Sequence, residues 1–297
     1  MVLDKRAEAS QTSSACYLRG ELDIMTFTIG EAWTQAMEFF RRNQQILLIL
    51  MGGSAIAIGI VQLIMIGGDM QSYMQQVIAA AQSGNPEQLA ALGGGGLATV
   101  SLLAAIVQGT ARQATLRMGL GGGDSMSDAL VYGVKAALML FLMGLVIGIV
   151  FAVVAVILIT VLGVGAVAAG SGSGSIGLGI LIGLALLVGI LWLFARFCLT
   201  GAAMADAATI NPLFGLRQSW QLTAPHQWSI LGYLVLLYIA IAVVSLLAQS
   251  IFGIFGGFIG GILSLALVQA PVAIAWTSVI AGIYIALTPR KADDVFA

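Results

Sequence analysis

Charge is what this sequence has least of. Lysine, arginine, aspartate and glutamate make up 8% of 297 residues, against roughly 25% in a soluble globular domain, so a water-exposed surface cannot be covered. Histidine occurs once and cysteine twice. Cys16 and Cys198 stand in unrelated contexts, no pair has metal-ligand spacing, and neither a metal site nor a cofactor is expected. The net charge of −1 gives no basic excess, so no nucleic-acid partner is expected. The first 24 residues lack the apolar stretch of a cleaved signal peptide. Residues 1–24 read as a disordered polar tail, 25–290 as a membrane domain, and 291–297 as a short C-terminal tail.

What is present is apolar: 60% of the chain is hydrophobic, and much of it falls in runs long enough to cross about 30 Å of hydrocarbon. Six such segments run from Gln45 to Gly67, Leu97 to Leu116, Leu138 to Gly163, Ile176 to Leu199, Ile230 to Ala248 and Phe258 to Leu287. The second is weakened by Arg112 in its last turns. Between the first two, Met70 to Gln82 reads as an amphipathic helix broken by Asn85-Pro86. In the sixth, Gln269-Ala270-Pro271 predicts a kink whose freed carbonyl is satisfied locally.

The connections at residues 69–96, 170–175 and 249–257 hold no lysine or arginine. All 12 basic residues fall on the other side if the spans number six. The positive-inside rule then puts both termini in the cytoplasm of a bacterial inner membrane.

A three-fold pattern precedes the odd-numbered spans. Thr28-Ile29-Gly30-Glu31 reads as a capping box, Ser125-Met126-Ser127-Asp128 as its variant, and Asn211-Pro212 as a cap with proline at the first helical position. Aligning the caps brings Ala32, Ala129 and Gly215 into register, followed by bulky Trp33, Leu130 and Leu216, and then by Met37, Val134 and Trp220. Ile29, Ala32, Trp33, Ala36, Met37 and Phe40 form one apolar stripe. The expected fold is therefore all-α and polytopic, with six transmembrane helices in three parallel repeats. Each repeat is an amphipathic elbow helix (Ile29 to Arg42, Ser127 to Ala137, Pro212 to Leu222) that bends into a helical hairpin.

The residues Arg196-Phe197-Cys198-Leu199, Ala203-Met204-Ala205-Asp206 and Asn211 to Thr223, with Arg217-Gln218-Ser219 inside, carry a resemblance. So do Phe27 to Phe40 and Ile283 to Leu287. Together they resemble the bacterial membrane-domain family named after glycerophosphoryl diester phosphodiesterases, and the YciC-like inner-membrane proteins. The resemblance covers about Met25 to Arg290. It implies the membrane module alone, because phosphodiester hydrolysis belongs to a separate soluble domain with clustered acids and histidines.

No nucleophile–base constellation is visible, and no enzyme is expected. His226 reads as an interfacial loop residue, and the glycine runs at 93–96 and 121–123 as joints. The residues with chemistry to offer are Arg196, Asp206 and Arg217, with Arg112 and Arg117 one repeat earlier. Arginine's planar fork suits a phosphate, so these are the candidate lipid-headgroup contacts; an Arg196–Asp206 ion pair is the structural alternative. Glycine ridges at Gly144/Gly148, Gly179/Gly183 and Gly253/Gly257/Gly261 predict close helix packing, within the chain or against a membrane-protein partner or second copy. The functional expectation is a non-enzymatic module contacting membrane lipids or a partner protein. The alternative is a lipid or small-molecule transporter subunit, recognisable by a polar cavity lined by Gln62, Gln108 or Gln269.

Overall fold

The computed structural model describes residues 27–65, 70–83, 87, 95–121, 125–168, 183, 188–252, 254 and 257–288. The expected tails and the 170–175 connection lie outside these residues, as do Asn85-Pro86 and most of the fourth span's first half. Every regular element described is helical. In chain order these are α1 (Ile29–Ile46), a π-helical stretch (Leu47–Gly52), α2 (Gly53–Met65), α3 (Met70–Ser83), α4 (Gly95–Gly121) and α5 (Met126–Ala168). Then come α6 (Val188–Asp206, with a turn at Cys198-Leu199), α7 (Pro212–Thr223) and α8 (Gln227–Phe252). The chain closes with α9 (Gly257–Ser264), a second π-helical stretch (Leu265–Gln269) and α10 (Ala270–Leu287).

Five helical runs among the described residues are long and apolar enough to cross a membrane: Ile29–Met65, Met126–Phe151, Val188–Asp206, Gln227–Phe252 and Ile259–Leu287. The expected second span is not one of them. Leu97 to Leu116 lies inside α4, whose apolar length is diluted by Gln108, Arg112, Gln113 and Arg117. The amphipathic helix expected at Met70 to Gln82 is present as α3.

The three caps form. The Thr28 hydroxyl accepts from the Glu31 N–H at 3.2 Å, the Ser125 hydroxyl accepts from the Asp128 N–H at 3.2 Å, and the Asn211 side-chain oxygen accepts from the Leu213 N–H at 3.0 Å. Four residues after each cap sits Ala32, Ala129 or Gly215; eight after sits Ala36, Gly133 or Ser219. All six are buried. The larger aligned residues Met37, Val134 and Trp220 are exposed, as is Trp33. The apolar stripe of α1 thus divides, with Ala32 and Ala36 packed on protein and Ile29, Trp33 and Met37 facing outward; the buried aromatic of this helix is Phe39, beside the stripe.

What happens after each cap differs. α1 has non-helical backbone at Asn43 (φ −109°, ψ 17°), a break before the first span. α7 ends in a turn at residues 224–226 before α8 begins. The second expected elbow is corrected: Met126–Ala168 is one uninterrupted 43-residue helix. Its junction at Ala136-Ala137-Leu138 contains good helix formers and neither glycine nor proline, so nothing interrupts the hydrogen-bond ladder.

Each capped start packs on the end of another long helix. The start of α5 lies on α4, α7 lies on the Thr200–Asp206 end of α6, and α1 lies on α10. The contacts are close because small residues meet. A Cβ on Gly133 would fall 2.6 Å from the Thr110 carbonyl oxygen, and one on Gly215 would fall 2.7 Å from that of Thr200. Since α10 is the last helix and α1 the first, the three contacts close a ring.

The two π-helical stretches belong to the same packed pair. Leu47–Gly52 contacts α10, and Leu265–Gln269 contacts α2. The second immediately precedes Pro271, whose ring would collide with the carbonyl four residues back in a regular α-helix. A widened turn relieves that clash, and the helical run continues through it from Ile259 to Leu287.

Candidate functional site

The basic residues singled out by the sequence do not converge. Arg217 is exposed on α7. Arg196 is only 8% exposed and lies over two indoles, its guanidinium carbon 5.3 Å from the Trp192 ring centre and 4.7 Å from that of Trp220. One of its terminal nitrogens donates to the Trp220 carbonyl at 3.3 Å. Its own carbonyl accepts from the Ser219 hydroxyl at 2.6 Å, which stitches α6 to α7. The expected Arg196–Asp206 pair is absent. Asp206 stands ten residues on, beyond the turn at Cys198-Leu199, and accepts from the Tyr284 hydroxyl at 2.7 Å. Cation–π contact in a dry environment holds Arg196 instead.

Asp206 belongs to a polar knot at the end of α6. Arg117, from α4, donates to the Ala205 carbonyl at 3.0 Å. Tyr132, from α5, donates to the Thr209 carbonyl at 3.0 Å. Gln218, from α7, reaches the Tyr284 hydroxyl of α10 at 3.5 Å. The carbonyls are presented by a left-handed turn: Ala208 has φ 51°, and the N–H groups of Ala208 and Thr209 fold back to Ala205 and Met204. This is a helix-ending motif that ordinarily uses glycine, and a β-carbon there costs roughly 1–2 kcal/mol. Five elements therefore meet at seven residues of helix, Thr200–Asp206, whose Ala202, Ala203, Met204 and Ala205 have no exposed surface. Arg117 and Asp206 hold this knot.

Arg112 is placed differently. It lines a 330 Å³ cavity among α4, α5, α6 and α10, together with Gln113 and Thr200. Nε of Arg112, Oε1 of Gln113 and Oγ1 of Thr200 are buried and have no hydrogen-bond partner among the described residues. Such orphans are uncommon in native structures and call for a partner. Gln113 was not singled out by sequence, although it adjoins Arg112; burial at 2% exposure is what distinguishes it. Gln62, Gln108 and Gln269, the expected markers of a transport cavity, do not line this one.

Among the described residues nothing packs on the glycine ridge of α5: added β-carbons at Gly144 and Gly148 would meet nothing within 4 Å. At Gly261 the neighbour is the Leu63 side chain, so this glycine serves internal packing. No family model, curated protein or solved structure matches this chain.

Proposed function

We propose that the protein is a non-enzymatic, six-span module of the bacterial inner membrane, built of three successive units, whose capped helix starts hold anionic lipid at the cytoplasmic face. The likeness to the glycerophosphoryl diester phosphodiesterase membrane-domain family rests on the quoted sequence segments and brings no activity with it. One observation carries the reading. Each capped start turns small residues onto protein and carries large apolar residues on its outer side, beside an exposed base. On α1, Trp33 (50% exposed) and Met37 share a face with Arg41. On α5, Val131 and Leu138 flank Lys135; on α7, Leu213 and Trp220 (40% exposed) flank Arg217. Residues three or four apart lie on one helix face, and an apolar side chain beside a cation is the signature of a helix seated among anionic headgroups.

The combined replacement Arg41→Gln, Lys135→Gln, Arg217→Gln tests this. Each base near an anionic surface contributes about 1 kcal/mol, so anionic-lipid retention measured by native mass spectrometry should fall by roughly ten- to a hundredfold. Retention equal to that of the unmodified protein sinks the proposal.

Orientation has its own test. With Cys16 and Cys198 replaced by alanine, single cysteines at Ser83 and Ser250 should react from the periplasm with a thiol reagent that cannot cross the membrane. A cysteine at Ser127 should react only after the membrane is opened. Labelling of position 127 in sealed cells would count against six spans with both termini inside.

A further inference from the structure

A groove of 370 Å³ lies among α1, α8 and α10. α1 contributes Trp33, Met37 and Phe40, α8 contributes Leu237, and α10 contributes Pro271, Ala275 and Ser278. The two π-helical stretches border it: Leu48, on its wall, belongs to the first, and Pro271 follows the second by two residues. Widened turns of this kind are frequent at functional sites. Trp33, Met37, Leu48 and Pro271 are exposed, so the groove opens outward.

The lining and the size specify the occupant. Apart from the Trp33 indole, the only polar side chain on the wall among the described residues is Ser278, whose hydroxyl already donates to the Ile274 carbonyl at 2.9 Å. A polar group seated here would lose its water and find no partner, so the occupant is apolar where it lies in the groove. Pro271 and Val279, both on the wall, are eight residues apart, or about 12 Å of helix. A helix about 10 Å across would fill about 900 Å³ over that length. The groove holds less than half of that, so a neighbouring helix fits only by its side chains, whereas a single hydrocarbon chain can lie along it. Charge then selects the amphiphile. Arg41 follows Met37 by one turn and adjoins Phe40, on the exposed side of α1. Its neighbour Arg42 is paired with Glu38 at 3.0 Å. α8 and α10 contain no charged residue, so nothing on those walls offsets Arg41, whose fork suits a phosphate.

We infer that one acyl chain of an anionic phospholipid lies in the groove among α1, α8 and α10, with the phosphate of that lipid at Arg41. This rests on the reading that the capped helix starts hold anionic lipid, and it assigns a seat to the chain of the lipid on α1.

The experiment uses the full chain, purified in an uncharged detergent and titrated separately with phosphatidylglycerol and phosphatidylcholine. Native mass spectrometry reads the bound lipid, and thermal unfolding without added lipid shows that each variant folds. Ala275→Leu fills the groove from α10, and Leu237→Trp fills it from α8, so one remains informative if the other fails to fold. Each should weaken the tightest phosphatidylglycerol about tenfold or more. Leu246→Trp, exposed on α8 and away from the groove, should leave it unchanged. Arg41→Gln should weaken it about fivefold, to the level of phosphatidylcholine. Unchanged phosphatidylglycerol binding in both filled variants overturns the inference; if the triple variant Arg41→Gln, Lys135→Gln, Arg217→Gln then still loses lipid, the surface reading stands without the groove. Loss in the filled variants with full retention in the triple variant sinks the surface reading, and the anionic occupant with it. A dimer that disappears in Ala275→Leu while lipid binding stays the same gives the groove to a second copy of the chain, and also overturns the inference.

Discussion

Gly282→Leu is expected to abolish stable folding, and Gly282→Ala to lower the thermal midpoint sharply. A Cβ at this position would lie 2.5 Å from the backbone nitrogen of Ala36, 2.6 Å from its Cβ and 2.7 Å from the Ala32 carbonyl oxygen. These are backbone atoms of α1, or are fixed to them, so no rotamer change relieves the clash; the two helices must separate. Overpacking in a well-packed core costs roughly 1–3 kcal/mol even where side chains can shift, and Gly282→Ala should fall at or above the top of that range. The contact at Gly59 is different. There the obstruction is the end of the Leu265 side chain, which can rotate, so Gly59→Ala should cost less. Gly148→Ala meets nothing and should be neutral or slightly stabilising, since glycine inside a helix costs roughly 0.5–1 kcal/mol relative to alanine. Thermal unfolding of the three variants in detergent gives the order. A Gly282→Ala protein as stable as the parent would mean that α1 and α10 do not cross at this distance, and the ring of contacts would be open.

Arg196→Ala should be the most damaging charge replacement. The side chain is 8% exposed and stacks on Trp192 and Trp220, whose rings meet edge to face at 5.5 Å. A desolvated cation–π contact contributes about 2 kcal/mol, and removing the stem leaves a void between two indoles, so a loss of about 3 kcal/mol is expected. The Trp220 carbonyl keeps the Ala224 N–H at 3.1 Å, so the loss is one of stacking more than of hydrogen bonding. Arg196→Lys should recover only part of it, because an ammonium lacks the planar face. A double-mutant cycle supplies the decisive reading. Arg196→Ala with Trp220→Leu should show coupling above about 0.5 kcal/mol, and Arg196→Ala with Asp206→Asn almost none. Strong coupling to Asp206 would restore the ion pair that the geometry contradicts.

Several features were legible without coordinates because they depend on neighbours along the chain. A cap needs only Thr28, Ser125 or Asn211 within three residues of a helix start, and all three hydrogen bonds are present. The widened turn before Pro271 follows from proline's missing N–H and its ring. The helix at Met70–Ser83 follows from residue pattern and length. The elbow expected at Ser127 does not form, because a cap announces where a helix begins and says nothing of where it bends; without a breaker, α5 continues.

The sequence by itself determined that this is an apolar, helical chain with capped helix starts and its bases gathered in a few segments, since charge scarcity and hydrophobic run length act locally and against any lipid. Tertiary structure alone decided the partners. It put Arg196 on two tryptophans, Asp206 under Tyr284, and Arg112 with Gln113 and Thr200 around one cavity. Arg112 and Thr200 are 88 positions apart, and Asp206 and Tyr284 are 78. Their meeting depends on how closely helices approach, which glycines such as Gly133, Gly215 and Gly282 permit only at the points where another backbone arrives. A glycine in the sequence looks the same whether or not a second helix lies against it.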